Sequence, residues 1–263
     1  MNDDMRNTTE APSILLVHGA FADGSSWRDV IPILEDENYA VTAIQNPLTS
    51  FQDDVETTRR AMEAQPGAVV LVGHGYGGAV ITAAAVDARR VKALVYVAAF
   101  APDSGERMQT LLMAYPSKLA TALVSDAGGF LSIDRFKFGG VFAGDVSDRQ
   151  RRVMAAVQKP INGEIFTHVF GTPAWRHVPA WYLISTEDQT INPDLQRMFA
   201  RRMDATTHEV ETSHVPFVSN PVAVDAIIQA AATSIARTIE GAGEASSRVH
   251  MDAVRLAYKP TIH

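Results

Sequence analysis

Short apolar runs alternate with amphipathic segments along most of the chain. Runs of strand length predict six β-strands: Ser13–Val17, Tyr39–Gln45, Val69–Val72, Lys92–Ala98, Ala180–Ser185 and His208–Val210. Helical spacing predicts the helices between and after them: Trp27–Asn38, Ser50–Ala64, Ala79–Val86, Asn192–Met203 and Pro221–Ala236. Strands that alternate with helices imply right-handed crossovers, so the pattern predicts an α/β fold with a mostly parallel central sheet flanked by helices.

The alternation stops between Ala101 and Val178. This stretch has its own helical patterns and many aromatic residues, and it is too long for a simple crossover. The predicted helices are Glu106–Met113, Pro116–Val124 and Ser147–Gln158. We therefore predict a helical lid over residues 101–178, inserted into a core formed by residues 13–100 and 179–236. Residues 1–12 are predicted to be a flexible tail, and residues 237–263 either a tail or an extra packed segment.

Composition narrows the class of protein. The chain has 263 residues, 46% of them hydrophobic, which suffices for one large core. The absence of cysteine excludes disulfides and thiolate chemistry and permits a reducing cytoplasm. A net charge of -7, with no stripe of Lys and Arg, argues against a nucleic-acid partner. The polar N-terminus lacks a signal-peptide pattern and no apolar run reaches membrane-spanning length, so we expect a soluble cytoplasmic protein.

The stretch Val69–Gly78 reads VVLVGHGYGG and joins a predicted strand to a predicted helix through a glycine-rich turn. Turns of this kind, with the pattern G-x-S-x-G, hold a nucleophilic serine above a sheet, and their small residues let the helix pack closely. Gly73, Gly77 and Gly78 keep that frame. Gly75 occupies the serine position and has no side chain, so the turn that best defines the site also lacks its nucleophile.

Two residues are candidates for the acid and the base of an acyl-transfer site. Such a site needs a histidine that moves a proton and a carboxylate that orients it. Asp188 follows the predicted strand Ala180–Ser185, and His214 follows the last predicted strand. Both come after the turn in the chain order that this chemistry uses on an α/β sheet. Asp103 is a fallback acid, and Glu187 is expected to point away if Asp188 points inward.

The oxyanion hole needs two backbone N–H groups that face the developing negative charge. One is expected from Tyr76, directly after the nucleophile position, and the other from Ala20 in the loop after the first strand, with Phe21 as the near alternative. His18 and His74 are interpreted as structural residues, because no further ligand follows at metal spacing. We therefore expect neither a metal nor a cofactor.

The chain resembles the α/β-hydrolase superfamily, and within it the small esterases similar to plant methylesterases, hydroxynitrile lyases and bacterial pyrethroid-hydrolase-like proteins. The resemblance covers about residues 13–236 and rests on five segments: HGAFADGSSW, VVLVGHGYGG, AAFAPDSGE, STEDQTINPDLQRMFA and SHVPFVSNP. It implies that Asp188 is the acid, His214 the base, and Ala20 and Tyr76 the oxyanion donors. It also implies cofactor-free hydrolysis of a carboxylic ester through an acyl-enzyme. Gly75 departs from this pattern, because the family has its nucleophile at that position.

The glycine leaves several functions open. The chain is either a serine-to-glycine variant of an active esterase or a natural protein that has given up covalent chemistry, and the otherwise complete site favours the first. A ligand-binding pseudoenzyme would use the same pocket without turnover. A cofactor-free hydrolase, lyase or oxygenase that depends on His214 would stay active despite Gly75. A hydroxynitrile lyase is disfavoured, because those enzymes place a lysine where this chain has Val215.

The expected substrate is an apolar small-molecule ester. Aromatic and aliphatic residues of the predicted lid are candidates for the pocket wall and would suit an aryl or medium-chain acyl group. They are Met108, Leu112, Phe130, Phe136, Phe142 and Phe170. A homodimer is a possible assembly.

Overall fold

In a computed structural model of the protein, the residues described are 11–235. Its strands are β1 Ser13–Val17, β2 Val41–Ile44, β3 Val69–His74, β4 Val91–Val97, β5 Leu123–Ser125, β6 Phe130–Ile133, β7 Ile161–Asn162, β8 Ala180–Ser185 and β9 Thr206–Val210. Its α-helices are α1 Ile31–Asp36, α2 Phe51–Glu63, α3 Tyr76–Ala84, α4 Met108–Ala114, α5 Phe138–Phe142, α6 Asp148–Val157, α7 Pro193–Arg202, α8 Pro216–Ser219 and α9, residues 221–235.

Six of these strands form one parallel sheet in the order β2-β1-β3-β4-β8-β9. Every residue of β1, β3 and β8 is buried, as expected for a parallel sheet covered on both faces. The predicted α/β architecture and all six predicted strands are confirmed, and β9 begins two residues earlier than predicted.

The direction of the strands brings distant parts of the sequence together. In a parallel sheet, the loops that follow the strands emerge at one edge, where ligands of this architecture bind. Here that edge collects the residues that follow Val17, His74, Val97, Ser185 and Val210. The segments predicted to carry the site therefore meet at one place.

The segment between β4 and β8, which we call the insertion (residues 101–178), contains more than helices. The predicted helix 106–113 is present as α4, and the predicted helix 147–158 is present as α6. Ser147 and Gln150 form a capping box at the start of α6. The predicted helix over Pro116–Val124 is wrong. A short 3-10 helix, Leu119–Thr121, leads there into a three-stranded antiparallel sheet in the order β5-β6-β7.

A turn explains this difference. The side chain of Asp126 accepts hydrogen bonds from the backbone N–H groups of Gly128 and Phe130, at 2.8 and 2.9 Å. Gly129 adopts a φ of 79°, a left-handed conformation that glycine tolerates. The turn closes a hairpin in which Leu123–Ser125 pairs with residues 131–133, so the apolar residues before it extend as a strand instead of a helix.

The two ends of the insertion form hydrogen bonds with each other, and an ion pair links them to the core. Phe170 donates its N–H to the carbonyl oxygen of Glu106 and accepts one from Gly105. Arg202 of α7 forms a two-pronged ion pair with Glu106, with N–O distances of 2.7 and 2.8 Å. These non-covalent contacts therefore hold the two ends of the insertion together where it leaves and re-enters the core.

The predicted tails lie outside the described residues, apart from positions 11 and 12. Among residues 11–235, no helix is both long and apolar enough to cross a membrane.

Candidate active site

The turn between β3 and α3 holds Gly75 with φ 54° and ψ −123°. Its neighbouring glycines are required by close packing. A Cβ atom on Gly77 would lie 2.5 Å from the carbonyl oxygen of Val17, and one on Gly78 would lie 2.4 Å from that of Phe100. The start of α3 thus sits directly against the ends of the neighbouring strands, and Gly75 is presented at the carboxyl edge of the sheet.

His214 and Asp188 form a buried pair beside this turn. The Nδ1–H of His214 donates to Oδ2 of Asp188 at 2.7 Å, and the two residues are 3% and 2% exposed. A carboxylate only accepts, so Nδ1 carries a proton and Nε2 is the ring nitrogen that faces the site. A Cβ atom placed on Gly75 would lie 3.1 Å from Nε2. The ring is therefore directed at the place where a nucleophile would stand.

The carboxylate of Asp188 is held by the loop that carries it. Its Oδ1 accepts hydrogen bonds from the N–H groups of Thr190 and Ile191, at 2.7 and 3.0 Å. Its Oδ2 accepts a further bond from the side-chain amide of Gln196 at 2.8 Å. Buried charges are stable only when their hydrogen-bonding capacity is filled, and here it is.

The other predicted acids lie elsewhere. Asp103 pairs with Arg176 at 2.6 Å at the base of the insertion, and Glu187 is exposed. Neither approaches His214 as Asp188 does.

His74, directly before Gly75, positions the loop of His214. Its Nε2–H donates to the backbone carbonyl oxygen of His214 at 2.8 Å, and the two rings lie 4.5 Å apart. Burial, and then the neighbouring His214, lower the pKa of His74 well below its usual value. His74 therefore stays neutral and acts as a fixed link between the turn and the histidine loop.

His18 has a similar structural part on the other side of the site. Its Nδ1–H donates to the carbonyl oxygen of Gly19 at 2.9 Å, and its Nε2 accepts the N–H of Asn46 at 3.0 Å. Burial lowers its pKa to about 4, so it is neutral at neutral pH. In residues 11–235, no group of three or more His, Cys, Asp or Glu residues could hold a metal ion.

The predicted oxyanion donors come together. Tyr76 is the first residue of α3, where a backbone N–H has no partner within the helix. The loop after β1 lies against it, since a Cβ atom on Gly19 would be 3.3 Å from the Tyr76 nitrogen. Ala20, Phe21 and Tyr76 line the same cavity as His214. Phe21 has a φ of 62°, a rare conformation for a residue with a bulky side chain.

Sequence reasoning missed the anchor of Tyr76. Its hydroxyl donates to Oδ2 of Asp54 at 2.6 Å, while Oδ1 of Asp54 accepts the N–H of Leu48 at 2.8 Å. Asp54 is fully buried; desolvation raises its pKa to about 6, against the lowering effect of these two bonds. A signal was present, because Asp54 lies on the apolar face of α2 with Phe51 and Val55.

The cavity above Gly75 is small. Its volume is about 20 Å³, room for roughly one water molecule. The insertion lines it with Met108, Leu119, Phe142 and Phe166. The ring centre of Phe142 lies 5.0 Å from that of His214, so this side chain covers the histidine directly.

The predicted wall residues have mixed outcomes. Met108 and Phe142 line the cavity, and Leu112 lines a neighbouring groove. The prediction is wrong for Phe136, which is 95% exposed. Phe170 packs on Phe51 instead, with ring centres 5.1 Å apart, and Phe130 lies in β6 away from the cavity lining. The prediction missed Phe100, Leu119, Phe166, Thr190 and Ile191.

Comparison with known proteins supports the fold and gives the family. The model of the alpha/beta hydrolase family matches residues 14–227. Methylesterase 2 of Arabidopsis thaliana is 26% identical over 241 residues, which cover 79% of this chain and 90% of that protein. A carbendazim hydrolyzing esterase of Nocardioides sp. is 30% identical over 132 residues, 45% of this chain and 53% of that protein. The fold is similar to that of a pyrethroid hydrolase from Sphingobium faniae, with a TM-score of 0.74, 20% identity and coverage of 86% and 99%.

Proposed function

The chain belongs to the alpha/beta hydrolase family, and we propose that its site is that of a carboxylic-ester hydrolase for apolar small molecules in which glycine stands at the nucleophile position. One observation supports this most strongly. The Nε2 atom of His214, with Asp188 behind it, faces the Cβ position of residue 75 at 3.1 Å. Its relatives, named as methylesterases and hydrolyzing esterases, fit the same class of reaction.

In the proposed complex, the ester carbonyl oxygen lies between the backbone N–H groups of Ala20 and Tyr76. Both groups would stabilise the negative charge that develops on that oxygen. With a serine at position 75, His214 would take the hydroxyl proton while the oxygen attacks the carbonyl carbon. The same proton would then pass to the leaving alcohol, and Asp188 would stabilise the imidazolium formed between these steps.

Gly75 removes this route, because no acyl-enzyme can form on it. Loss of the nucleophilic serine in a serine protease lowers kcat by about 10⁶, while the oxyanion hole and binding still leave about 10³-fold catalysis over water. We therefore expect the chain to bind esters and to hydrolyse them very slowly.

The test is the substitution Gly75→Ser, assayed with p-nitrophenyl acetate. We expect kcat to rise by at least about 10³-fold. The serine would adopt the left-handed conformation of residue 75 at a cost of about 1–3 kcal/mol, and His214 would move by a few tenths of an ångström to make room for its Cβ.

Gly75→Ala is the matched control, since it adds the same Cβ and the same backbone strain without a hydroxyl. Equal rates for the serine and alanine variants would refute the esterase proposal.

A second candidate is water attack directed by His214 in the chain as it stands. It is favoured by the complete set of hydrogen bonds around Asp188, which a purely ligand-binding site would not need. His214 would take a proton from water as the water oxygen attacks the ester, and would return it to the departing alcohol. The slow basal rate should then fall to that of buffer in His214→Ala. A ligand-binding protein would show tight ester binding that the same substitution leaves unchanged.

A further inference from the structure

A second space lies beside the cavity over Gly75. It is a groove in the insertion, about 470 Å³ in volume, between α4, the 3-10 helix Leu119–Thr121 and the small antiparallel sheet. Its apolar wall is formed chiefly by Leu112, Met113, Leu123 and Leu131. We call it the insertion groove. Its volume is in the range of pockets that hold small organic ligands, whereas the inner cavity holds roughly one water molecule.

The insertion groove and the inner cavity share two walls. Leu119 and Phe166 line both spaces, and each belongs to a short 3-10 helix of the insertion. They therefore form the partition between His214 and the groove. A ligand that spans both spaces would pass between these two side chains.

The chemistry of the groove selects its ligand. Among the described residues that line it, none is charged, and its polar side chains are those of Gln109, Ser117 and Thr167. Two clefts of larger volume, about 600 and 740 Å³, differ from the groove in charge and in position. They contain arginine and acidic side chains and lie around Val91, the first residue of β4, at the opposite edge of the sheet from Gly75. A smaller cleft of about 180 Å³ also shares lining residues with the inner cavity, namely Phe21 and Phe142, but Asp23 and Arg28 give it charged groups. The insertion groove is larger, and none of its described lining residues is charged.

We propose that the insertion groove is the subsite for the long apolar arm of the ester. The carbonyl group would lie in the inner cavity against Ala20 and Tyr76, and an uncharged aryl or medium-chain acyl group would pass between Leu119 and Phe166 into the groove. This inference rests on the proposed function and adds the substrate class: uncharged esters with one extended apolar arm, preferred over short-chain esters.

The test compares two substitutions of exposed alanines in the Gly75→Ser chain. Ala120 lines the groove, so Ala120→Phe fills it, whereas Ala156 lies on α6 away from it and Ala156→Phe is the matched control. The measured quantity is kcat/KM for p-nitrophenyl octanoate divided by that for p-nitrophenyl acetate. We expect this ratio to fall by about tenfold or more in Ala120→Phe, because several methylenes lose their buried position, and to be unchanged in Ala156→Phe.

A ratio that stays the same in Ala120→Phe would overturn the subsite, even if acetate is hydrolysed well. Hydrolysis of neither ester by Gly75→Ser would instead refute the proposed function itself.

A binding measurement on the unsubstituted Gly75 chain tests the groove without turnover. The uncharged fluorophore N-phenyl-naphthylamine should bind, and its affinity should fall about tenfold in Ala120→Phe but not in Ala156→Phe. Equal affinities in the two variants would contradict an apolar subsite at this place.

Discussion

The edge of the central sheet and the insertion that covers it are built in opposite ways. At the sheet edge, Asp188 and His214 are buried, and each is held by several short hydrogen bonds. The insertion consists of short elements, and it carries six of the seven exposed large hydrophobic side chains of the described chain: Met113, Val124, Phe136, Val153, Val157 and Val169. The groups proposed to carry the chemistry thus lie on the sheet edge, and the groups proposed to select a ligand lie on short elements of the insertion.

This difference leads to an expectation about substitutions. Changes at the sheet edge should act on the rate of the chemical step or on the stability of the whole fold. Changes in the insertion should act on the choice of substrate and more weakly on the rate. The following experiments test that division, from the largest expected effect to the smallest.

Asp188→Asn in the Gly75→Ser chain should have the largest effect. An amide at this position favours the wrong tautomer of His214, and the corresponding change in a serine protease lowers kcat by about 10⁴. The measurement is kcat for p-nitrophenyl acetate, and the matched control is Asp194→Asn, an exposed acid in the first turn of α7. A loss of less than tenfold would show that Asp188 does not orient the histidine.

Asp54→Asn should change the pH dependence of stability. The pKa of Asp54 is raised from 3.8 to about 6, chiefly by burial, with Lys159 lowering it and Asp53 raising it. The contribution of protonated Asp54 to the free energy of unfolding is therefore fully present below about pH 4. It is lost as the pH rises through about 6. The loss amounts to about 3 kcal/mol.

An asparagine carries no charge, so the variant should not lose this stability. The free energy of unfolding of the variant, relative to that of the parent, should therefore rise with pH over this range. Urea unfolding from about pH 4 to about pH 7 measures the difference. The control is Glu56→Gln, an exposed acid on the same helix that is not among the groups acting on Asp54. A difference between Asp54→Asn and the parent that does not vary with pH would contradict the raised pKa.

Asp145→Ala should have the smallest effect, because it removes a contact from the insertion to the sheet edge. Asp145 is exposed and accepts two hydrogen bonds from Ser213, the residue directly before His214. One comes from the backbone N–H at 2.9 Å and the other from the hydroxyl. Its loss should loosen the histidine loop and lower kcat of the Gly75→Ser chain by about three- to tenfold. Asp148→Ala is the control, since Asp148 pairs with Arg151 within the insertion. A loss as large as that in Asp188→Asn would erase the distinction between the two regions.

The sheet and the meeting of Gly75, Asp188 and His214 could be predicted because both depend on patterns of short range. Continuous apolar runs mark strands that are buried on both faces, and each candidate residue directly follows such a run. The position of Tyr76 follows from the same turn. These inferences need no knowledge of how distant side chains pack.

The insertion could not be predicted in this way, because its short elements are decided by tertiary contacts. The sequence leading into Leu123–Ser125 has the spacing of a helix, but in the structure this segment pairs with β6 next to the turn at Asp126. Whether Phe136 is exposed and Phe166 faces the site depends on that folding. The link from Asp54 to Tyr76 joins two helices and likewise has only a weak sequence signal. The homodimer and the cytoplasmic location stay predictions.

The small volume of the space beside Gly75 also affects how a bound molecule would leave. Because the space holds only about 20 Å³ and the ring of Phe142 lies 5.0 Å from that of His214, the surrounding side chains must move before an ester can enter or leave. The escape rate is then set by how often that movement occurs, more than by the strength of the contacts made inside. A chain that encloses its ester and lacks the hydroxyl to consume it would release that ester slowly and intact, with a long residence time.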